Sequence, residues 1–264
     1  MRGELEEIES EFATPRLCEI TASWDGLDDE DLMEREEMVV TVTLGGYIKR
    51  TPLATFRAQN RGGKGRAGMA TKEEDAVTEL FVTSTHTPVL FFSTHGKVYR
   101  LKVWKLPEGG PQTRGRPMIN LLPLAEGETI STVLPLPEDE AEWGGLNVVF
   151  VTAKGRVRRN NMDAFTNIPS NGKFAMRFDE GSDDRLIGVA LLNEGDDVLL
   201  ASRSGKAIRF AADDVREFQS RTSTGVRGMT LKGDDEVISL SILQRVGTSS
   251  EEREDYLRFA PWKA

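Results

Sequence analysis

The stretch with the most suggestive chemistry is QNRGGKGRAGM, residues 59–69, which combines three basic side chains with four glycines and no carboxylate. Glycine removes side-chain bulk, so its backbone can approach another molecule closely. Arginine and lysine among such glycines favour an anion as that molecule, because cationic side chains and backbone N–H groups both bind phosphate oxygens. The stretch therefore predicts an anion-binding loop. The rest of the chain has to indicate how large the anion is.

The charge of the chain is unevenly distributed. Its 264 residues carry 34 Lys and Arg against 43 Asp and Glu, so the formal net charge is −9. Four windows, residues 38–70, 95–120, 152–178 and 200–229, contain six bases each and together hold 24 of the 34 bases but only 5 of the 43 acids. One such window is explained equally well as a solvated strand face. Four coincident windows favour one basic surface for a long polyanion over a pocket for a small phosphate ligand.

The elements that must position these windows repeat along the chain. MVVTVTLGGYIKRTPL, residues 38–53, reads as two β-strands joined at glycines, which is a hairpin signal. The pattern recurs at 89–104, 148–162 and 198–212. A second glycine follows each hairpin, and an acidic turn then precedes another strand. Units of roughly fifty residues with four β-runs each predict an all-β, propeller-like array of about four blades. The hairpin glycines are Gly46, Gly96, Gly155 and Gly205, and the second glycines are Gly65, Gly115, Gly172 and Gly225.

The sequence contains no complete motif for catalysis, metal binding or nucleotide binding. Gly63, Gly65 and Gly68 spell the dinucleotide fingerprint, but no strand and helix flank them as that motif requires. One cysteine, Cys18, and two histidines are too few for a zinc site, and no nucleophile stands near a base in a known spacing. We therefore expect no catalytic residues, no metal and no cofactor. The absence of a signal peptide and of a long apolar run predicts a cytoplasmic protein that is not in the membrane.

Several motifs in order resemble the C-terminal domain of the DNA gyrase A protein. QNRGGKG (59–65) is similar to the signature heptapeptide of that family, usually Gln-Arg-Arg-Gly-Gly-Lys-Gly. YIKRTPLATFRAQ precedes it, and GKVYRLKVWKLP (96–107), RGRPMINLLPL (114–124) and TSTGVRG (222–228) follow. The resemblance runs from about residue 2 to residue 243. Asn60 replaces the first arginine of the heptapeptide, which removes one positive charge but keeps a hydrogen-bond donor.

The resemblance implies a β-pinwheel, a disc of blades that exchange strands, whose rim bends and wraps double-stranded DNA. Wrapping presents a positive crossover to the enzyme, which supercoils DNA negatively with ATP. ATP and magnesium would lie on the rest of the holoenzyme, an A2B2 complex of the remainder of the gyrase A protein with the gyrase B protein. The resemblance also implies six blades where four are counted here, so the chain is expected to lack the last blades. The box required for wrapping would be Gln59, Asn60, Arg61, Gly62, Gly63, Lys64 and Gly65.

The expected organisation has four parts. Residues 1–20 form a helix that ends a coiled-coil tether, and residues 21–37 are an acidic linker. Residues 38–243 form the DNA-wrapping repeats, and residues 244–264 are an acidic tail or an insertion between blades. The repeat boundaries are expected at 38–86, 87–137, 146–194 and 196–243. The DNA-binding rim would consist of Lys49, Arg50, Arg57, Arg66, Lys97, Arg100, Lys102, Arg114, Arg116, Arg156, Arg158, Arg159, Lys173, Lys206, Arg209 and Arg227.

Two alternatives remain open at this point. The chain could be the related domain of topoisomerase IV, although that domain usually lacks the glycine box. It could also be a propeller-like docking module for a protein or RNA partner. Wrapping requires all four basic windows on one continuous edge, whereas docking needs only one or two of them.

Overall fold

The computed structural model describes residues 2–13, 29–56, 69, 75–179 and 181–259. The chain divides into two compact units, Met1–Glu34 and Arg35–Ala264. The first contains helix α1 (Arg2–Phe12), none of whose residues is buried. The second contains all fifteen described strands and helix α2 (Ser250–Phe259). The glycine box (59–65), Arg57 and Arg66 lie outside the described residues.

The predicted all-β, propeller-like array is confirmed. The described strands form four sheets, and each sheet is one blade. Each blade is built around an antiparallel hairpin whose turn contains one of the four predicted glycines, and these glycines have φ between 77° and 82°. The strands are β1 (Glu37–Thr43), β2 (Tyr47–Pro52), β3 (Val77–Ser84), β4 (Pro88–Ser93), β5 (Lys97–Lys102), β6 (Arg116–Pro117), β7 (Ile130–Pro135), β8 (Asn147–Thr152), β9 (Arg156–Asn161), β10 (Lys173–Phe174), β11 (Leu186–Leu192), β12 (Asp196–Ser202), β13 (Ala207–Ala211), β14 (Val226–Arg227) and β15 (Val237–Gln244).

Neighbouring blades exchange a short strand. In blades 1 to 4, numbered in chain order, the sheet orders are β3-β1-β2-β6, β10-β5-β4-β7, β11-β8-β9-β14 and β13-β12-β15. The two-residue strands β6, β10 and β14 follow the second glycine of one repeat and pair with the hairpin of the preceding repeat. We call the edge of each sheet that receives this strand the exchange edge. In the described part of the chain, the fourth sheet has three strands and its exchange edge, β13, receives none.

The opposite edges of the sheets lie against one another. Strand β11 contacts β7 on one side and β15 on the other. The backbone N–H of Val189 in β11 donates to the hydroxyl of Thr132 in β7 at 3.1 Å, and a side chain at Gly188 would meet Leu240 of β15 at 3.4 Å. These contacts bring together the strands β7, β11 and β15 of blades 2 to 4, so the exchange edges of these blades lie on the opposite side of their sheets.

The cores lie between blades, so a central strand is buried on both faces. In β8, Val148 and Phe150 pack against blade 2, while Val149 and Val151 pack against blade 4. The Phe150 ring meets Phe92 of β4 edge to face, with centroids 5.6 Å apart. A strand covered on both faces is continuously apolar instead of alternating, which explains the sequence NVVFVT.

The second glycine is required where the exchanged strand begins. Gly225 has φ of 80°, and a Cβ added there would lie 2.3 Å from the carbonyl oxygen of Val157. Gly205 has nearly the same conformation, φ of 82°, with open space around it. We expect Gly225→Ala to lower the free energy of unfolding by about 2–3 kcal/mol and Gly205→Ala by about 1–2 kcal/mol, because only the first adds a clash to the left-handed backbone. Urea unfolding of both variants measures the difference. Equal losses of unfolding free energy would show that the exchanged strand shifts to accommodate the added methyl group.

The acidic turns before β3, β11 and β15 cap the hairpin turns. The carboxylates of Asp75, Asp184 and Asp235 accept the backbone N–H of Gly45, Lys154 and Ser204, the residues before the turn glycines. Their distances are 2.7, 2.9 and 2.9 Å. The aspartates that follow three of the four basic windows therefore stabilise the fold locally.

The Asp235 cap makes stability depend on acid pH. Hydrogen bonds from Ser204 hold the pKa of the Asp235 carboxyl at about 2, below its value of about 3.9 in an unfolded chain. The ionised group therefore stabilises the fold above about pH 4, and this contribution is lost as the pH falls towards 2. We expect the unfolding free energy of Asp235→Asn to fall less steeply than that of the wild type over this pH range. Chemical denaturation at several pH values measures it. Asp234→Asn removes the same charge from the adjacent exposed residue and controls for net charge; an identical pH profile of all three proteins would contradict the assignment.

Two elements were not predicted from the sequence. The acidic insertion at 137–145 contains a 3-10 helix, Glu140–Gly145, whose Trp143 is fully buried in the core between blades 2 and 3. The segment expected to be an acidic tail or insertion contains α2, which begins at a reciprocal cap between Ser249 and Glu252. Such a cap satisfies two backbone N–H groups of the first turn.

Candidate nucleic-acid interface

The exchanged strands bring two parts of the basic windows together. Register pairs Tyr47 with Pro117, Lys97 with Phe174, and Arg156 with Arg227. The first member of each pair follows a hairpin glycine, and the second lies two residues after a second glycine. We call each pair and its immediate basic neighbours an exchange seam. Three described seams occupy equivalent positions on the exchange edges of blades 1 to 3.

At the seam of blade 1, Arg114 and Arg116 flank the glycine that starts β6. The Arg114 guanidinium lies over the Tyr47 ring, 3.8 Å from its centroid. Stacking of this kind leaves the guanidinium edge available for hydrogen bonds to another partner. Arg116 is exposed and pairs through its backbone with Ile48. This seam presents two cations that are close in sequence.

At the seam of blade 2, cations surround a half-exposed aromatic ring. Lys97 and Arg177 lie 5.8 and 4.9 Å from the centroid of Phe174, which is 40% exposed. Lys173 is directed elsewhere, since its ammonium donates to the carbonyl of Ala164 at 3.2 Å, and burial lowers its pKa. Arg177 was absent from the predicted rim. Its signal in the sequence is its place five residues after Gly172, within the third basic window.

At the seam of blade 3, two like charges face each other. Arg156 and Arg227 are both exposed and are directly opposite in the antiparallel register. Neither forms an ion pair with any of the residues that the structure describes. Like charges directly across a strand pair are destabilising. The arrangement therefore costs stability unless an anion lies between or over the two guanidinium groups.

On blade 4, Lys206 lies at the equivalent position after the hairpin glycine and is exposed. Strand β13, which begins at the next residue, is the exchange edge that pairs with no exchanged strand among the described residues. The glycine box lies in the repeat 1 segment that corresponds to β6, β10 and β14. Met69 is the one described residue of that segment. It is buried, as are Met118, Met176 and Met229 three or four residues after their second glycines.

Two residues predicted on the rim lie inside the protein. Lys49 and Arg158 are fully buried at the third position after their hairpin glycines, and their side chains donate to backbone carbonyls. Burial lowers the pKa of Lys49 and brings that of Arg158 to about 10. Neither side chain is accessible to a partner, so the prediction that these two belong to the rim is wrong. The covering segments come from the following repeat, which the local sequence pattern does not show.

Four other predicted rim arginines are engaged in ion pairs. They occupy the fourth position after each hairpin glycine, next to a third position that is buried in blades 1 to 3. Each meets a carboxylate at 2.5 to 3.0 Å, which offsets its charge within the protein. Lys102 is half-buried at the end of β5. The pairs are Arg50 with Glu108, Arg100 with Glu140, Arg159 with Asp213, and Arg209 with Asp197.

Other kinds of site find little support in the described ranges. No group of three or more His, Cys, Asp and Glu there could hold a metal ion. None of the helices described is long and apolar enough to cross a membrane. The exchange seams are therefore the strongest candidate site in the described structure.

Comparisons with known proteins point to one family. The model of the "DNA gyrase C-terminal domain, beta-propeller" matches residues 37–84, 87–137, 146–193 and 196–244. The chain is 54% identical over 257 residues to the DNA gyrase A protein of Rickettsia bellii, covering 97% of this chain and 28% of that protein. It is 53% identical over 262 residues to the gyrase A protein of Granulibacter bethesdensis, covering 98% and 28%. The gyrase A protein of Salmonella typhimurium is 44% identical over 242 residues, covering 92% and 27%. The chain thus spans less than a third of the length of these relatives.

Solved structures support the fold. The C-terminal domain of a DNA topoisomerase IV superposes with a TM-score of 0.66 at 24% identity, over 80% of this chain and 62% of that chain. A DNA gyrase A C-terminal domain superposes with a TM-score of 0.56 at 23% identity, over 78% and 64%. At these identities the likeness shows a shared architecture.

Proposed function

Since the chain belongs to the DNA gyrase C-terminal domain family, we propose that it binds duplex DNA along its exchange edges and wraps it. In the complete protein, this domain of gyrase A presents a positive crossover for ATP-dependent negative supercoiling. The chain itself contributes binding and bending, and no catalytic centre. ATP, magnesium, the gyrase B protein and the remainder of gyrase A belong to the A2B2 holoenzyme, which works on the bacterial chromosome in the cytoplasm.

The facing arginines of blade 3 support the proposal most directly. Arg156 and Arg227 are held opposite each other by backbone register and have no acidic partner among the described residues. A DNA phosphate near both guanidinium groups would convert their repulsion into two charge-assisted hydrogen bonds. An arrangement that is unfavourable in the free protein and favourable with an anion is expected of a binding site.

The repetition of the seam explains why the ligand is long. Cations at equivalent positions on successive blades can follow a backbone whose charge is continuous, and contacts to phosphates require no base sequence. Bending a 20–30 bp segment by 40–90° costs on the order of 1–6 kcal/mol. The three seams and Lys206 of blade 4 provide enough phosphate contacts to offset such a cost. The seam residues are Arg114, Arg116, Lys97, Arg177, Arg156 and Arg227.

The glycine box would extend this surface from repeat 1. Gly65 corresponds to Gly115, Gly172 and Gly225, so Arg66 corresponds to Arg116. By this correspondence, Gln59–Gly65 and Arg66 would supply further phosphate contacts, with Asn60 as a hydrogen-bond donor in place of the family's arginine. The box also favours a gyrase A protein over its topoisomerase IV counterpart.

The experiment that tests the proposal is ligation of nicked circular DNA with and without the chain, followed by measurement of linking number after protein removal. A shifted linking-number distribution is expected, because wrapping with a defined hand stores writhe that ligation traps. The Arg156→Gln/Arg227→Gln variant should shift it less. Absence of binding at low salt would overturn the DNA proposal. Binding to a protein or RNA in preference to duplex DNA would support a docking module instead.

A further inference from the structure

Each exchanged strand is preceded by a loop that covers the third residue after a hairpin glycine. In blade 1 this residue is Lys49, which is fully buried. Its ammonium donates to the carbonyls of Gly110, Pro111 and Thr113 at 2.7, 3.1 and 3.0 Å. An ammonium has three donors and no acceptor, so three carbonyls satisfy it completely. The loop residues precede Arg114 and strand β6 directly.

Blade 3 repeats the arrangement with another cation. Arg158 is fully buried and donates to the carbonyls of Arg221, Ser223 and Ala175. Residues 221–223 precede Gly225 and strand β14, which carries Arg227. The Arg158 guanidinium also lies over the Phe150 ring, 4.6 Å from the centroid. The cation thus connects the exchanged loop to the core between blades 2 and 3.

The other two blades show what the position does without a buried cation. In blade 2 the residue is Tyr99, which is also buried. Its ring packs against Gly172, where an added Cβ would lie only 2.6 Å from a ring carbon. In blade 4 it is Ile208, which is 38% exposed on the edge that receives no strand among the described residues. Burial of the position therefore accompanies the arrival of an exchanged strand.

We propose that Lys49 and Arg158 are positioning residues for DNA binding, which hold the exchanged loops so that Arg114, Arg116 and Arg227 stand on the exchange edge. The inference rests on the proposed function, since it assigns a role to side chains that DNA does not touch. A buried cation is well suited to this role because burial is costly unless its donors find acceptors. The three carbonyls satisfy Lys49 completely, whereas Arg158 bonds through its two terminal nitrogens and its Nε has no partner among the described residues. Loop conformations that withdraw the carbonyls are thereby disfavoured, and the arginines that follow keep one orientation.

The test compares Lys49→Met with Lys49→Arg, the residue that blade 3 uses. Binding of each variant to a fluorescent 40 bp duplex is measured from 50 to 200 mM salt, together with hydrogen exchange of residues 109–117. Lys49→Met is expected to reduce the slope of log affinity against log salt by about 1.8, since two contacts at about 0.9 each are lost. Exchange in 109–117 should rise while that of β8 and β12 stays unchanged. Lys49→Arg should restore most of the slope.

Controls separate this inference from the proposed function. Thr51→Val removes one other bond to the same loop, from the Thr51 hydroxyl to the Gly109 carbonyl at 2.7 Å, and should keep the slope. Arg114→Gln/Arg116→Gln removes the contacts themselves and should match Lys49→Met. An unchanged slope for that double variant would overturn DNA contact at this seam and with it the proposed function there. A reduced slope for it with an unchanged slope for Lys49→Met would overturn the positioning role alone. If Lys49→Met does not fold, Lys49→Gln, which retains an amide donor, takes its place. Its salt slope is expected to fall by less than that of Lys49→Met, and a wild-type slope would again overturn the positioning role.

Discussion

Replacing Trp143 with alanine is expected to lower the free energy of unfolding by about 3–5 kcal/mol, the range found for large aromatic residues truncated in a core. Trp143 is fully buried in the cluster that joins blades 2 and 3, together with Phe92 and Phe150. Its indole N–H donates to the Pro137 carbonyl at 2.9 Å, and the Arg100 guanidinium lies 5.4 Å from its ring. Since whole domains are stable by only about 5–15 kcal/mol, this loss should be visible in urea or thermal unfolding.

Two variants show where the Trp143 effect comes from. Trp143→Phe keeps a ring in the cavity but loses the indole hydrogen bond, so about 1–2 kcal/mol is expected. Phe259→Ala truncates an aromatic that is 77% exposed in α2 and should change stability by less than about 0.5 kcal/mol. If Trp143→Ala cost no more than Phe259→Ala, the insertion would contribute nothing to the joint between the blades.

The fold class could be predicted because its signals are local. A tight hairpin turn needs a residue with positive φ, and glycine supplies it at Gly46, Gly96, Gly155 and Gly205. Apolar β-runs on both sides of these glycines then recur at a nearly constant interval. No long-range information is needed to infer an all-β array from such a pattern, and the structure confirms it.

The accessible part of each basic window could not be predicted, because it depends on contacts between residues that are distant in the sequence. Lys49 and Arg158 are buried by loops 61 to 65 residues further along the chain. Their neighbours Arg50 and Arg159 also meet acids of the following repeat, Glu108 and Asp213. Alternation along a strand shows which residues share a face, but strand exchange decides whether that face is covered.

The burial of Trp143 and the helix α2 were not predicted, because the acidic composition of both segments favours a solvated insertion or tail. PEDEAEWGG, residues 137–145, has four acids and looks like a solvated insertion. The one bulky apolar residue in it was the available signal, and it is the residue that fills the core. The S-x-x-E pattern at Ser249 and Glu252 is likewise a helix-start signature that the acidic composition obscured.

The paired arginines of blade 3 give the most informative prediction about binding, because stability and affinity should change in opposite directions. Arg156→Gln/Arg227→Gln removes a repulsion between directly opposed strand residues, so the free energy of unfolding should rise by about 0.2–1 kcal/mol. The same change removes two phosphate contacts, so affinity for duplex DNA should fall about a hundredfold at 50 mM salt and about tenfold at 200 mM. The defect shrinks with salt because fewer counterions are released when fewer phosphates are neutralised.

The matched control for the paired arginines is Lys105→Gln/Lys232→Gln, which makes the same change in net charge. Lys105 ends the 3-10 helix that follows β5 and lies over the Trp104 ring, and Lys232 lies in the turn before β15. Both are exposed and neither belongs to a seam, so the control should keep the wild-type salt slope and most of the affinity. Fluorescence anisotropy across the salt range and urea unfolding measure the two quantities for each protein. Equal salt slopes for the seam variant and the wild type would show that DNA passes elsewhere. A seam variant less stable than the wild type would show that the two arginines support the fold. Only gain of stability together with loss of binding identifies a surface whose charge is arranged for an absent anion.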